Sequence, residues 1–469
     1  MVMGEVGREY DLVVLGGGPA GYIAAIRAGE LGLDVALIEK AFLGGVCLNA
    51  GCIPSKMLLN ASHLVSETKY LTSIGISAKV GKVDMKTLSR ECQRTVAKLR
   101  GGIAQLLQAN GVEVIEGIGR FESSGHMHIK EGKNARSIRF RKAIIATGSR
   151  PYVPDGIRIG GNIITSSEAL FLEELPKSVA IIGAGYIAAE LGTFFAEMGS
   201  KVSILARSRL LSKMDQDLVQ EVCRQENISI YEGCTVKSVR DGKVAKVAFA
   251  SENVQREVSA EKVIVAIGRT PNTSNIGLEN TRVALDKDGF VQADYRGATS
   301  DPKLFAAGDV AGPPLLAHKA FMQGEAAAEA AAGVAGAGFQ PKAIPEVVFT
   351  NPEIVCVGVS EEEAKKKMLD VRVARLPLSA VGKAVSTNAQ KGFCKIVHSP
   401  QGLILGVHMV GKGVSELAAG ACLAVEMGAY IDDVAGTVHP HPTLSECLHE
   451  CAQLALGRPW HYAVGKMKK

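Results

Sequence analysis

Apolar runs that end in glycine recur along this chain. Residues 10–15 (YDLVVL) stop at Gly16-Gly17-Gly18-Pro19-Ala20-Gly21, after which apolar positions continue at helical spacing to Leu31. Residues 179–182 (VAII) repeat the pattern, stopping at Gly183-Ala184-Gly185 before a second helical stretch. Each predicts a buried strand, a tight turn and a helix. Further strands are expected at 35–38, 143–148 (AIIATG, ending in a Gly turn), 201–205 and 304–310 (LFAAGDV). Between 84 and 110, Leu88, Cys92, Val96, Leu99, Ile103 and Leu106 recur at steps of three and four, which predicts an amphipathic helix with Cys92 in a core. Beyond Pro345 apolar strands alternate with helices, at 347–349, 354–359 and 403–410, without a phosphate-binding turn. The expected fold is α/β, with two Rossmann-like units followed by an α+β domain.

A chain of 469 residues exceeds what one hydrophobic core serves and should form roughly three domains. Pro151 and Pro154 mark a linker. With 47% hydrophobic and 22% charged residues the balance is that of an ordinary globular protein. The net charge of +5 is mild, and no basic run points to nucleic acid. No apolar stretch is long enough for a membrane span; the Ala/Gly tract 326–338 is broken by Glu329 and reads as a packed helix end and turn. Ten irregularly spaced cysteines do not make a secreted disulfide framework. The stretch before Tyr10 is too short and polar for a signal peptide, so a reducing, cytoplasmic location is expected. The tail 465–469 reads as a solvated end.

Both glycine turns suit dinucleotides. Gly16, Gly18 and Gly21 give a tight turn, close backbone approach to a pyrophosphate and close helix packing, and Glu39 ends the next strand where a carboxylate meets ribose hydroxyls. Gly183 and Gly185 repeat the turn, with Ala188 at the third position. After the following strand an NAD-binding unit would place an acid; here Ala206 stands there, followed by Arg207, Arg209 and Lys213. An acid would repel a 2′-phosphate and arginine favours one, so the loop points to NADP(H) over NAD(H).

Two other stretches carry reactive side chains. Residues 44–56, GGVCLNAGCIPSK, place Cys47 and Cys52 five positions apart. A disulfide across so short a loop would stiffen almost nothing, so it suits chemistry better than stapling. Pro54 would start a helix just after Cys52, and a helix N-terminus favours a thiolate, with Lys56 one turn in. Near the end, His439 and His441 lie between prolines with Glu446 downstream. A carboxylate on one imidazole nitrogen orients the ring and leaves the other to take a proton, a role open to either histidine.

The segment 44–56 strongly resembles the redox site of the FAD-dependent pyridine nucleotide–disulfide oxidoreductases, GG-T-CLN-x-GCIPSK, departing only at Val46. The resemblance extends to the HPHPTLSE stretch and covers essentially the whole chain. It implies a flavin domain from 1–150 and 272–344, a nicotinamide domain at 151–271 and a dimerisation domain at 345–469. FAD would be held by Gly16, Gly18, Gly21, Glu39, Lys56, Thr147, Gly148, Asp309 and Ala317. The nicotinamide nucleotide would meet Gly183, Gly185, Ala188, Glu190, Arg207, Arg209, Lys213 and Gly268. Cys52 would face the flavin, Cys47 would exchange with substrate, and Lys56 would stabilise negative charge nearby. His441, with Glu446 as partner, would be the acid/base, supplied by the other subunit of an obligate homodimer. The stretches LLAHKA and HPTLSE are similar to the dihydrolipoamide dehydrogenase branch, whose substrate is a lipoyl group on a carrier protein. The loop ARSRLL is more similar to the NADPH-dependent branches, which keeps a glutathione reductase-like activity as the rival. A non-catalytic FAD-binding structural subunit is the non-enzyme alternative, opposed by the intact Cys47, Cys52, His441 and Glu446 set.

Overall fold

The computed structural model describes residues 8–223, 226–251 and 254–463, so the chain start and the tail 465–469 lie outside the described residues. Contacts divide the chain into two compact units. One comprises the chain up to Ser55, Lys86–Tyr152 and Gly268–Gln340; the other comprises Lys56–Met85, Val153–Ile267 and the chain from Pro341 on. The segments expected as nicotinamide and dimerisation domains fall in one unit by contact, each with its own sheet. Residues 56–85 join them instead of the flavin segment, because Lys56 pairs with Glu190 and Ser62 with Glu197.

The first unit is built on a seven-stranded sheet. Glu113–Glu116, Val35–Glu39, Glu9–Leu15, the end of Asn134–Ile145 and Leu304–Ala306 run parallel, and His126–Glu131 and Ile118–Ser123 extend it antiparallel. Val13, Val14, Leu37 and Ile144 are fully buried, which is why their runs are apolar without alternation. Helices Pro19–Glu30 and Ala317–Ala332 cover one face through alanines such as Ala20, Ala24, Ala327 and Ala328. Helix Met85–Ala109 buries Met85, Cys92, Val96 and Leu107. Leu99 and Leu106, expected inside, are 43% and 52% exposed. An apolar row repeated every seven residues drifts about 20° per repeat around a straight helix, and that drift carries both to the edge of the buried stripe.

In the second unit Ile228–Tyr231, Lys201–Leu205, Ser178–Ile182, Lys262–Val265 and Ile163–Thr165 form a five-stranded parallel sheet in that order. The C-terminal segment forms an antiparallel sheet ordered Glu346–Val348, Glu353–Gly358, Ile404–Gly411, Phe393–His398 and Arg372–Pro377. The last two strands were not anticipated, since the edge strand RVARLP mixes arginines with its apolar positions. No helix among the described residues is long and apolar enough to cross a membrane.

A buried ion pair joins the two sheets' segments, Lys395 Nζ lying 2.6 Å from Asp215 Oδ2. Burial pushes the Asp215 carboxyl up, but the Lys395 ammonium and the Glu362 N–H outweigh that and hold it at about 2. A carboxyl more acidic when folded than unfolded contributes stability above its unfolded pKa, lost as pH falls toward the folded value. About 2 kcal/mol should therefore disappear between pH ~4 and pH ~2. Acid unfolding followed by circular dichroism should show that increment in the native chain and not in Asp215→Asn.

Candidate active site

The cysteine segment is a pair of helices, Gly45–Ala50 carrying Cys47 and Cys52–Ser73 opening on Cys52 itself. The sequence had suggested a loop followed by a helix that begins after Cys52. Gly51 breaks the two apart. A Cβ there would lie 2.9 Å from the Val46 carbonyl oxygen and 3.3 Å from Cys47 Cα, so the turn packs back on the first helix before the second opens at Cys52. Asn49 fastens the first helix, its Nδ2 donating to Leu43 O and Gly45 O at 2.9 and 2.8 Å. Gly45, at φ 57°, sits where a Cβ would come within 2.7 Å of Gly18 Cα. Only glycine permits that approach, which docks the cysteine segment on the first fingerprint turn.

That turn is shaped for a dinucleotide. Gly16 has φ 105°, and a Cβ would stand 2.4 Å from Ala146 O, so the first glycine is required by the backbone itself. At Gly18 a Cβ would meet nothing closer than 3.8 Å, and no side chain caps the helix that starts after it. Open space at an uncapped helix N-terminus is a fit for pyrophosphate. Glu39 accepts the Gly17 and Ala41 N–H groups at 2.7 and 2.8 Å, leaving each oxygen a further lone pair for ribose. Thr147 beside Gly148 exchanges hydrogen bonds with Asn272 at 2.8 and 2.9 Å. Asp309 accepts from Ser149 Oγ at 2.5 Å, and Arg269 Nε donates to that same hydroxyl at 2.7 Å. Ala317 opens the next helix, where buried Lys319 donates to Gly312 O and burial lowers its ammonium pKa against the opposing charge of Asp309. Near the cysteines, burial pushes the Tyr22 phenol up and the charge of Cys47 adds to it. Ser149, Arg269, Lys319 and Tyr22 were not foreseen, although each lies in a stretch already marked by its glycines or prolines.

In the second unit Gly183 and Gly185 lead into helix Tyr186–Glu197, with Ala188 fully buried. Glu190 is buried and accepts Lys56 Nζ at 2.9 and 3.1 Å and the Phe349 N–H at 3.1 Å. Lys56 also lies 4.3 Å over the Phe349 ring. The Lys56 ammonium, expected to serve the flavin, pairs with Glu190, a carboxylate so buried that it needs a partner charge. Gly268, expected with the nicotinamide residues, falls in the first unit, its carbonyl accepting the Tyr152 N–H at 3.0 Å. Ala206 is buried at the strand end while Arg207, Arg209 and Lys213 are exposed. Leu211 N–H donates to Ala184 O at 2.7 Å, tying this basic loop to the fingerprint turn.

The same unit holds the histidine pair. His441 Nδ1 lies 2.9 Å from Glu446 Oε1, whose other oxygen accepts the Thr443 N–H at 2.9 Å. Burial pushes Glu446 up, but the His441 and Thr443 bonds outweigh it and hold the carboxyl below its usual range. Glu446 is therefore an acceptor, Nδ1 carries the proton, and Nε2 of the 76%-exposed side chain is left to act. His439 is engaged elsewhere, with Thr437 O at 2.9 Å and the His449 ring. One turn along, unforeseen, Glu450 Oε1 holds His461 Nδ1 at 2.5 Å.

The pattern of the pyridine nucleotide-disulphide oxidoreductases matches residues 10–324, and that of their dimerisation domain matches residues 344–452. The chain belongs to this family. Proteins named dihydrolipoyl dehydrogenase from Geobacillus stearothermophilus and Bacillus subtilis are 38% and 39% identical to it, over 98% of this chain and 99% of theirs. Among solved structures, the HOCl-induced flavoprotein disulfide reductase RclA of Escherichia coli superposes with TM-score 0.86 at 25% identity, covering 95% of this chain and 99% of that one. LpdA from Mycobacterium tuberculosis gives 0.86 at 25% identity, covering 96% and 99%. This family member is accordingly an oxidoreductase acting on sulfur-containing donors, with FAD and a nicotinamide nucleotide as cofactors.

Proposed function

We propose that the chain interconverts dihydrolipoyl and lipoyl groups, bound to a carrier protein or as lipoamide, through a Cys47–Cys52 disulfide, with NADP(H) as the preferred nucleotide. The observation that supports the reading is the packing of the Cys47 and Cys52 helices around Gly51 and, through Gly45, onto the fingerprint turn at Gly18. In the oxidative direction a substrate thiolate attacks Cys47 Sγ, forming a mixed disulfide and releasing Cys52 as thiolate. The second substrate sulfur, its proton taken by His441 Nε2, attacks the first; the lipoyl ring closes as Cys47 leaves as a thiolate, which takes that proton back from His441. Bound FAD supplies the passage of the electron pair between the two cysteines and the nicotinamide. Lys56 balances the charge of Glu190 at the nicotinamide fingerprint. The protein works as a homodimer through its C-terminal segment, in a reducing, cytoplasmic compartment suited to ten cysteines without a structural framework.

Anaerobic turnover with lipoamide and with glutathione disulfide, each with NADPH and NADH, tests this. Lipoamide turnover preferring NADPH supports it; glutathione disulfide alone would replace the substrate, and a preference for NADH would remove the nucleotide assignment. Replacing Arg207 and Arg209 together with alanine should cut kcat/KM for NADPH by roughly 10- to 100-fold, the worth of charged hydrogen bonds to a phosphate. NADH values should stay within about threefold, as no 2′-phosphate is present to lose them.

A further inference from the structure

The C-terminal sheet has two unlike faces. Val355, Val407, Met409 and Ile396 belong to its apolar core. On the opposite face, Glu346 pairs with Cys356, Cys356 with His408, His408 with Lys395 and Lys395 with Arg375 across successive strands. Register pairing puts these five side chains in one row. Lys395 in the row is 1% exposed, and its ammonium reaches Asp215 at 2.6 Å, Asp217 at 3.0 Å and Glu361 at 3.4 Å. Asp215 is 2% exposed and precedes helix Gln216–Val222, but its carboxylate does not cap that helix. It turns to the C-terminal segment instead, accepting the Glu361 and Glu362 N–H groups at 3.1 and 2.9 Å along with Lys395.

Asp215 also anchors the far end of the basic loop, together with the next residue, Gln216, whose N–H donates to Glu362 Oε1 at 2.9 Å. The loop leaves the parallel sheet at Ala206, whose N–H donates to Tyr231 O at 2.8 Å. It is held midway where Leu210 N–H meets Glu232 Oε1 and Leu211 N–H meets Ala184 O, both at 2.7 Å. Leu211 has φ 48°, a conformation a leucine keeps only when its surroundings fix it. Arg207 and Arg209 lie between the first two anchors, and Lys213 lies between the second and Asp215.

We propose that Lys395, acting through Asp215, is a positioning residue for the nicotinamide nucleotide, so that the C-terminal sheet holds the loop at the adenosine 2′-position in register. This rests on the reading of Arg207, Arg209 and Lys213 as the 2′-phosphate site. On this proposal Lys395 acts at a distance by completing the third anchor, and a loop held there only by the Glu361, Glu362 and Gln216 N–H bonds keeps its charges but loses their exact placement.

The test uses the full-length FAD-loaded enzyme. KM and kcat for NADPH and NADH with lipoamide, and calorimetric binding of adenosine 2′,5′-bisphosphate, are measured for Lys395→Met, Asp215→Asn, Lys395→Arg and the Arg207→Ala/Arg209→Ala pair. Lys395→Met should raise KM for NADPH and the bisphosphate Kd about tenfold while kcat at saturation changes less than about twofold, with Lys395→Arg recovering most of the loss. Asp215→Asn, of unchanged shape, reports the same effect if Lys395→Met fails to fold. Melting temperatures that fall while KM and Kd hold within twofold would overturn the proposal, leaving a purely structural pair, even with bisphosphate binding lost in the double arginine variant. Unchanged bisphosphate binding in that double variant would remove the phosphate-site reading, and the positioning role with it.

Discussion

Cys47→Ser should lose lipoamide turnover by a factor of about 10³ or more and keep its flavin. A serine oxygen forms no mixed disulfide, so the exchange step has no partner for the substrate sulfur. The cradle is built from other groups, the turn at Gly16 to Gly21, the Glu39 carboxylate on the Gly17 and Ala41 N–H groups, and Asp309 held by Ser149. None depends on the Cys47 sulfur, and serine keeps the side-chain shape within helix Gly45–Ala50. Three measurements separate the possibilities: absorbance of bound FAD, lipoamide turnover, and NADPH-driven reduction of a dye that needs no thiol. Flavin and dye reduction retained with dithiol turnover lost is the expected result. Loss of FAD would make the cysteine segment a structural brace for the fingerprint turn, an outcome given force by the 2.7 Å approach of a Gly45 Cβ to Gly18. Retained lipoamide turnover would exclude Cys47 from the exchange.

What could be read from sequence was whatever repeats locally. The runs before Gly16 and Gly183 are apolar without alternation because both faces are covered, so strand, turn and helix follow from a few neighbouring residues. The spacing from His441 to Glu446 likewise contains its own geometry, a five-residue turn that closes on one hydrogen bond of 2.9 Å. Partners brought together by the fold left no such trace. Lys56 meets Glu190 across 134 positions, and Ser149 meets Asp309 across 160. Lys395 looks like any strand lysine until three carboxylates from two distant segments close on it. Leu99 and Leu106 fit the helical spacing and still face outward, since spacing fixes a stripe and not its width. The edge strand Arg372–Pro377 escaped because an edge exposes half its positions and tolerates arginine there.

His441→Gln should lower kcat for dithiol oxidation by 10²- to 10⁴-fold, the range for a lost general base, and leave dye reduction intact. Only a thiolate attacks a disulfide, and in the proposed mechanism the His441 imidazole removes the proton near neutral pH. Glu446→Gln should cost less. Its amide oxygen can still accept the Nδ1 proton and keep the ring aimed, while the charge that steadies the imidazolium is gone and an amide nitrogen is set against the Thr443 N–H. A loss of roughly 10- to 100-fold separates that charge from the orientation it shares. The same variants decide which subunit supplies the base. If His441 of one subunit serves the cysteines of its partner, coexpressed Cys47→Ser and His441→Gln chains form one intact site in each mixed dimer. With random pairing half the dimers are mixed, so activity should return to about a quarter of the native value from two chains that are each inactive. No recovery, with mixed dimers present by mass, would place base and cysteines in one chain and withdraw the shared site.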